Sequence, residues 1–78
     1  MHIYSSRIKT LEGIENLNHL EELSLAYNRE LDNIVNIREL KSLKKLSIEK
    51  CKNINEEGIK LLKEHYQQFR PYIYCNKD

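Results

Sequence analysis

The sequence predicts an α/β fold, a short solenoid. About four short parallel strands would form a curved sheet on the concave side, with helices and turns on the convex side. Three observations predict it. One phrase of apolar and small polar residues recurs four times within 78 residues. Inside that phrase the apolar spacing switches from three residues to two, so the chain alternates between coiling and running straight. The stretch beginning at Asn55 carries the strongest stripe of an amphipathic α-helix.

The repeat is explicit in the residues. Leu20, Leu23, Leu25, Asn28 and Leu31 return 23 positions later as Leu43, Leu46, Ile48, Cys51 and Ile54. Met1, Ile3 and Ser6 precede Leu23, Leu25 and Asn28 by 22 positions, and Pro71, Ile73 and Asn76 follow Leu46, Ile48 and Cys51 by 25. The copies divide the chain into repeats at about 1–22, 23–45 and 46–70, with a partial one at 71–78. So short a chain has room for a single domain.

Each copy contributes one strand, at about Met1–Tyr4, Glu22–Ala26, Lys45–Glu49 and Tyr72–Cys75. Period two at Leu23 and Leu25, and at Leu46 and Ile48, is the strand signature. Between strands the chain returns. Ile8, Leu11, Ile14, Leu17, Leu20 and Leu23 fall every third residue, a row that would wind around a continuous α-helix and leave it no apolar face. Thr10–His19 is therefore read as a loose turn or a short 3₁₀ stretch. Asp32–Lys41 carries Ile34, Ile37 and Leu40 at helical spacing. The third return, from Asn55 to about Gln68, is the strongest helix: Asn55 is placed to cap it, and Glu56 and Glu57 lie where the helix dipole favours negative charge. Ile59, Leu62, Tyr66 and Phe69 make its buried stripe, and Pro71 ends it. No heptad is sustained, which excludes a coiled coil.

The recurring phrase resembles the leucine-rich repeat, L-x-x-L-x-L-x-x-N/C-x-L, over essentially the whole of Met1–Asn76. The third copy, with Cys51-Lys52-Asn53-Ile54, Gly58-Ile59 and Leu62, resembles the cysteine-containing subtype found in F-box leucine-rich-repeat proteins and mitochondrial coupling factor B-like proteins. The two shorter copies before it are similar to the general intracellular or bacterial type. In this family the N/C position points inward and hydrogen-bonds backbone that the tight turn leaves unpaired. That reading gives Ser6, Asn28, Cys51 and Asn76 a structural role as a ladder. The resemblance implies a protein-binding surface, and the subtype implies substrate recognition within a ubiquitin-ligase adaptor.

Composition narrows the function classes. Thirteen basic against twelve acidic residues leave a net charge of +1, which argues against nucleic acid or an anionic membrane as partner. No apolar run approaches a membrane span. The start, Met1-His2-Ile3-Tyr4, lacks the basic and apolar segments of a secretory signal, so an intracellular, cytoplasmic location is expected. Two cysteines in such a setting are read as thiols. Cys51 would lie in the core and Cys75 would point the opposite way, which disfavours a disulfide; a register stacking Cys75 on Cys51 would restore it. Cys51, Cys75, His65 and His2 contain no close pair of the kind a structural zinc site uses. The histidines stand beside no activated nucleophile, Glu56 and Glu57 diverge on a helix, and Gly13 and Gly58 are isolated. An enzyme is not expected, nor a cofactor or metal.

What remains is surface. Strand alternation turns outward His2, Tyr4 and Ser5; Glu22, Ser24, Ala26 and Tyr27; Lys45, Ser47, Glu49 and Lys50; and Arg70, Tyr72, Tyr74 and Cys75. Across strands this predicts a column of Glu22, Lys45 and Arg70, a second of Tyr4, Ala26, Glu49 and Tyr74, and a Tyr27–Lys50 pair. Tyr and Arg are enriched at binding hot spots, so this concave face is the candidate contact surface for a protein partner. Stacking of single-stranded RNA on the aromatics is opposed by Glu22 and Glu49. Met1 occupies a core position and neither terminal strand carries a dedicated cap, so both would be open edges of a parallel sheet. A self-sufficient module, a piece of a longer solenoid, or a subunit that docks or homo-oligomerises through its ends would each fit.

Overall fold

A computed structural model describes residues 1–66 and 72–76. Four parallel strands, β1 (His2–Tyr4), β2 (Glu22–Ala26), β3 (Lys45–Glu49) and β4 (Tyr72–Asn76), lie side by side in sequence order. One α-helix, α1 (Glu56–His65), and two 3₁₀ segments, Ile14–Asn16 and Val35–Glu39, pack along one face of the sheet. The protein is thus α/β, and β1, β2 and β3 are each followed by a return segment on the same side.

Register follows from burial. His2 pairs with Ser24, and Ser24 with Ser47, offsets of 22 and 23 residues that match the sequence repeat. Leu23, Leu25, Leu46 and Ile48 then fill the inner columns and are at most 1% exposed, each worth about 1.5–3 kcal/mol of apolar burial. β4 departs from expectation. Lys45 pairs with Tyr72, an offset of 27 rather than 25, so Ile73 sits opposite Leu46 and Cys75 opposite Ile48. This register lets both inner residues of β4 pack against the core, whereas the shorter offset would have turned Cys75 outward beside Lys50. The longer connection follows from its helix: an α-helix rises about 1.5 Å per residue against about 2.0 Å in 3₁₀, so the same span takes more residues.

A backbone feature repeats with the sequence. Ser5, Tyr27 and Lys50 have φ of 49°, 58° and 54°, the left-handed region that side chains disfavour. Each follows a strand, and each donates its N–H to the neighbouring strand: Ser5 to the Ala26 carbonyl, Tyr27 to that of Glu49 and Lys50 to that of Asn76, at 2.8–3.0 Å. The left-handed residue breaks the two-residue alternation. Tyr27 therefore stays exposed, and Asn28 and Cys51 turn into the core, both fully buried.

The return segments explain the three-residue row. Ile14 donates to the Leu11 carbonyl, Leu17 to Ile14 and Leu20 to Leu17; Ile37 donates to Ile34, Leu40 to Ile37 and Leu43 to Leu40. These are bonds to the third residue back, so period three is the period of the backbone itself. Asp32–Lys41 accordingly holds a 3₁₀ segment where helical spacing was expected. Gly13, at φ 94°, opens the first segment with its N–H on the Glu15 carboxylate, and Asn33 Oδ1 accepts from Val35 N at 3.1 Å to open the second. A second backbone ladder runs on this side, Asp32 N to Lys9 O and Asn55 N to Asp32 O. At the third copy the Asn55 carbonyl instead accepts from Gly58 and Ile59, and α1 begins.

Asn55 caps α1 as expected, its Oδ1 accepting from Glu57 N at 2.8 Å. Ile59 and Leu62 face the core. Tyr66 closes the helix and donates its hydroxyl to the carbonyls of Ile37 (2.9 Å) and Leu40 (3.4 Å). The expected extension to Gln68, Phe69 in the stripe and Pro71 as terminator lie outside the described residues, as does Arg70. Two apolar expectations fail. Met1 is 47% exposed, because β1 is the edge strand and only β2 flanks that position. Leu17 is 37% exposed, at the end of the first 3₁₀ segment.

Candidate functional site: the open face of the sheet

The face of the sheet opposite the return segments is uncovered by any described residue, and its composition follows from the register. Three columns cross it: Glu22, Lys45 and Tyr72; His2, Ser24, Ser47 and Tyr74; and Tyr4, Ala26, Glu49 and Asn76. Two corrections to the predicted columns follow from the offset of 27. Tyr72 takes the place expected for Arg70. Tyr74 stands with the serines rather than with Glu49, and Asn76 takes the Glu49 position.

The aromatic content is high. Tyr72 is 65% exposed, Tyr4 57%, Tyr27 52% and Tyr74 40%. Tyr27 is presented by its left-handed backbone, the others by strand alternation. Between them Ser24 and Ser47 are half-buried, and Ala26 is buried despite its outward position because its methyl lies below the longer Tyr4 and Glu49 on either side. Tyr4 and His2 form a local pair, hydroxyl to Nδ1 at 3.2 Å with ring centroids 5.5 Å apart. Glu22 and Lys45 are cross-strand neighbours, yet no ion pair forms between them; the ion pairs among the described residues are Lys44–Glu21 at 3.7 Å and Arg38–Glu39 at 3.8 Å. A cleft of about 410 Å³ opens where β1–β3 begin, lined by Met1, His2, Leu20, Glu22, Leu23, Ser24, Lys45 and Ser47.

Of the residues expected to form a structural ladder, Asn28 and Cys51 are fully buried and Ser6 is half-buried. Asn28 Oδ1 accepts from Ser6 N (2.9 Å) and Ser6 Oγ (3.0 Å), and its Nδ2 donates to the Ile3 carbonyl at 2.7 Å. Cys51 Sγ approaches the Glu49 carbonyl at 3.3 Å. Asn76 does not join them. It lies in an outer column and is exposed, because burial of Ile73 and Cys75 fixes β4 two residues further along. For the same reason Cys75 is not a surface residue: it is half-buried against the core. No disulfide joins it to Cys51.

Tyr66 and Glu15, both on the return side, have shifted acidities. Tyr66 is raised above the ordinary phenol value, chiefly by burial and further by the Glu39 carboxylate. Glu15 is lowered by its backbone hydrogen bond and by Asn36, whose Nδ2 donates at 3.2 Å. A second depression of about 610 Å³ lies there, lined by residues that include Asp32, Asn33, Asn55, Glu57 and Leu61. Asn33 and Asn55 already spend their side-chain oxygens on Val35 and Glu57.

Comparison with known protein families, curated proteins and solved structures finds no match to this chain. No helix among the described residues is long and apolar enough to cross a membrane.

Proposed function

We propose that the chain is a short leucine-rich-repeat solenoid acting as a non-enzymatic protein-binding module inside the cell, with the open face of its sheet as the concave contact surface. Support for the repeat class comes from one strand per copy in sequence order, the left-handed residue at the same place in three copies, and the equivalent positions after it, Asn28 and Cys51 fully buried and Ser6 half-buried. The observation that carries the binding role is the clustering of Tyr4, Tyr27, Tyr72 and Tyr74, all at least 40% exposed, on a single face with serines between them. Tyrosine supplies large amphipathic contact area at low entropic cost, and serine adapts its hydrogen bonds; that pairing is the chemistry of protein recognition surfaces.

The test compares partner capture by the immobilised wild-type chain and by a Tyr27→Ala/Tyr74→Ala variant, with a photo-crosslinker at Ser24 to mark contact with the face. The variant should capture at least tenfold less partner while its far-UV circular dichroism stays unchanged. Undiminished capture, or crosslinks absent from Ser24, would sink the reading. A second reading is favoured by β1, which among the described residues has a neighbour on one side only: a structural subunit that docks or homo-oligomerises through its strand edges. Deleting Met1–Tyr4 would then abolish assembly more completely than the tyrosine substitutions do.

A further inference from the structure

Each residue that turns into the core after a strand is followed by a basic one: Ser6 by Arg7, Asn28 by Arg29 and Cys51 by Lys52. The register makes these three neighbours. The offsets of 22 and 23 residues that pair the strands continue past their ends, through Ser5, Tyr27 and Lys50 and through the hydrogen bonds from Ser6 to Asn28. Adjacent strands lie about 4.8 Å apart, so the three backbone positions carrying these cations span about 10 Å. All three are exposed, and none forms an ion pair with a described carboxylate.

The opposite ends of the same strands are built differently. There Glu21 aligns with Lys44 and pairs with it at 3.7 Å, and Glu22 stands across from Lys45. Unlike charges alternate at the strand starts; like charges line up at the strand ends. Like charges on neighbouring strands repel and cost stability. Tyr27, exposed at the end of β2, lies two residues before Arg29.

We propose that Arg7, Arg29 and Lys52 form an acid-recognition ridge that takes a run of Asp or Glu side chains on the protein partner. The inference rests on the binding reading above and names the chemistry of its partner. An acidic segment fits better than nucleic acid, because the exposed carboxylates of Glu30, beside Arg29, and Glu49, at the end of β3, would repel a continuous phosphate backbone at two points. Three cations also neutralise few phosphates.

The probes are fluorescein-labelled octaglutamate, octalysine and an oligothymidylate of equal length, followed by anisotropy at low salt. Wild type should bind octaglutamate in preference to both others, and binding should weaken as salt rises. The Arg7→Glu/Arg29→Glu/Lys52→Glu variant should lose roughly tenfold or more in affinity. The corresponding glutamine variant should lose less, and Lys41→Glu/Lys60→Glu/Lys63→Glu, an equal charge change at exposed positions on the return side, less than about twofold. Circular dichroism checks that each variant folds. Equal losses from the two reversals, or no octaglutamate binding by wild type, would overturn the ridge; tighter binding of oligothymidylate would reassign it to nucleic acid. Loss in Tyr27→Ala/Tyr74→Ala alone would keep the open face and reject the ridge. Loss in the ridge variant with undiminished partner capture by the tyrosine variant would keep the ridge and reject the open face.

Discussion

Asn28 carries more of the fold than any other polar residue described. Fully buried, it satisfies the Ser6 amide and hydroxyl and the Ile3 carbonyl, which ties the turn after β1 to the turn after β2. Replacing it with Ala leaves those part-buried groups without this partner. An unmade buried hydrogen bond costs about 1–3 kcal/mol, so Asn28→Ala should lose about 2–3 kcal/mol in urea denaturation; a loss under about 0.5 kcal/mol would contradict this role. The place of Asn28 was legible in the sequence because Asn28 and Cys51 fall at one position of a 23-residue repeat. Asn76 satisfied the same phrase on paper and failed in three dimensions. Two apolar contacts, Ile73 with Leu46 and Cys75 with Ile48, outweighed the placing of one amide. Positive φ at Ser5, Tyr27 and Lys50 was not legible, since none of them is Gly or Asn and side-chain type gives no sign of it.

At the scale of elements, the strands could be read because burial alternates along them, Ala26 excepted, and their observed bounds differ from the expected ones by one residue at two ends. The return segments could not be read as fully. A row of Ile34, Ile37 and Leu40 is compatible with a helical face, and only the bonds to the third residue back identify it as 3₁₀. α1 is held to that segment by the Tyr66 hydroxyl on the Ile37 and Leu40 carbonyls. Tyr66→Phe should therefore cost about 1 kcal/mol, read from the urea midpoint. The raised acidity constant of Tyr66 adds a pH signature. A group that holds its proton more tightly when folded contributes its full stability below its unfolded value, about 10 for tyrosine, and loses it as pH rises through the folded value. Wild type should thus lose stability above about pH 10 more steeply than Tyr66→Phe does. Parallel pH profiles for the two chains would show that Tyr66 ionises as freely folded as unfolded.

For the molecule as a whole, the core is one cluster running from Leu11 to Leu62, and its thickness is uneven. β2 and β3 are paired on both sides, while β1 has three residues, of which only Ile3 packs partly against the core. Ser5 and Tyr27 provide a matched pair of reporters: both are left-handed, and each donates its N–H to the next strand at 3.0 Å. Opening β1 breaks few apolar contacts, whereas opening β2 requires the whole sheet to come apart, and local opening free energies follow that difference. In NMR-detected hydrogen exchange at high dilution, Ser5 should exchange at least about tenfold faster than Tyr27, and only the Tyr27 rate should rise steeply with urea. Equal rates at every protein concentration would mean that β1 opens only with the rest of the sheet. Protection of Ser5 that grows with concentration would mean that a second copy covers the edge, because mass action stabilises only what the partner binds. That outcome would move the interface from the tyrosine face to the strand edge.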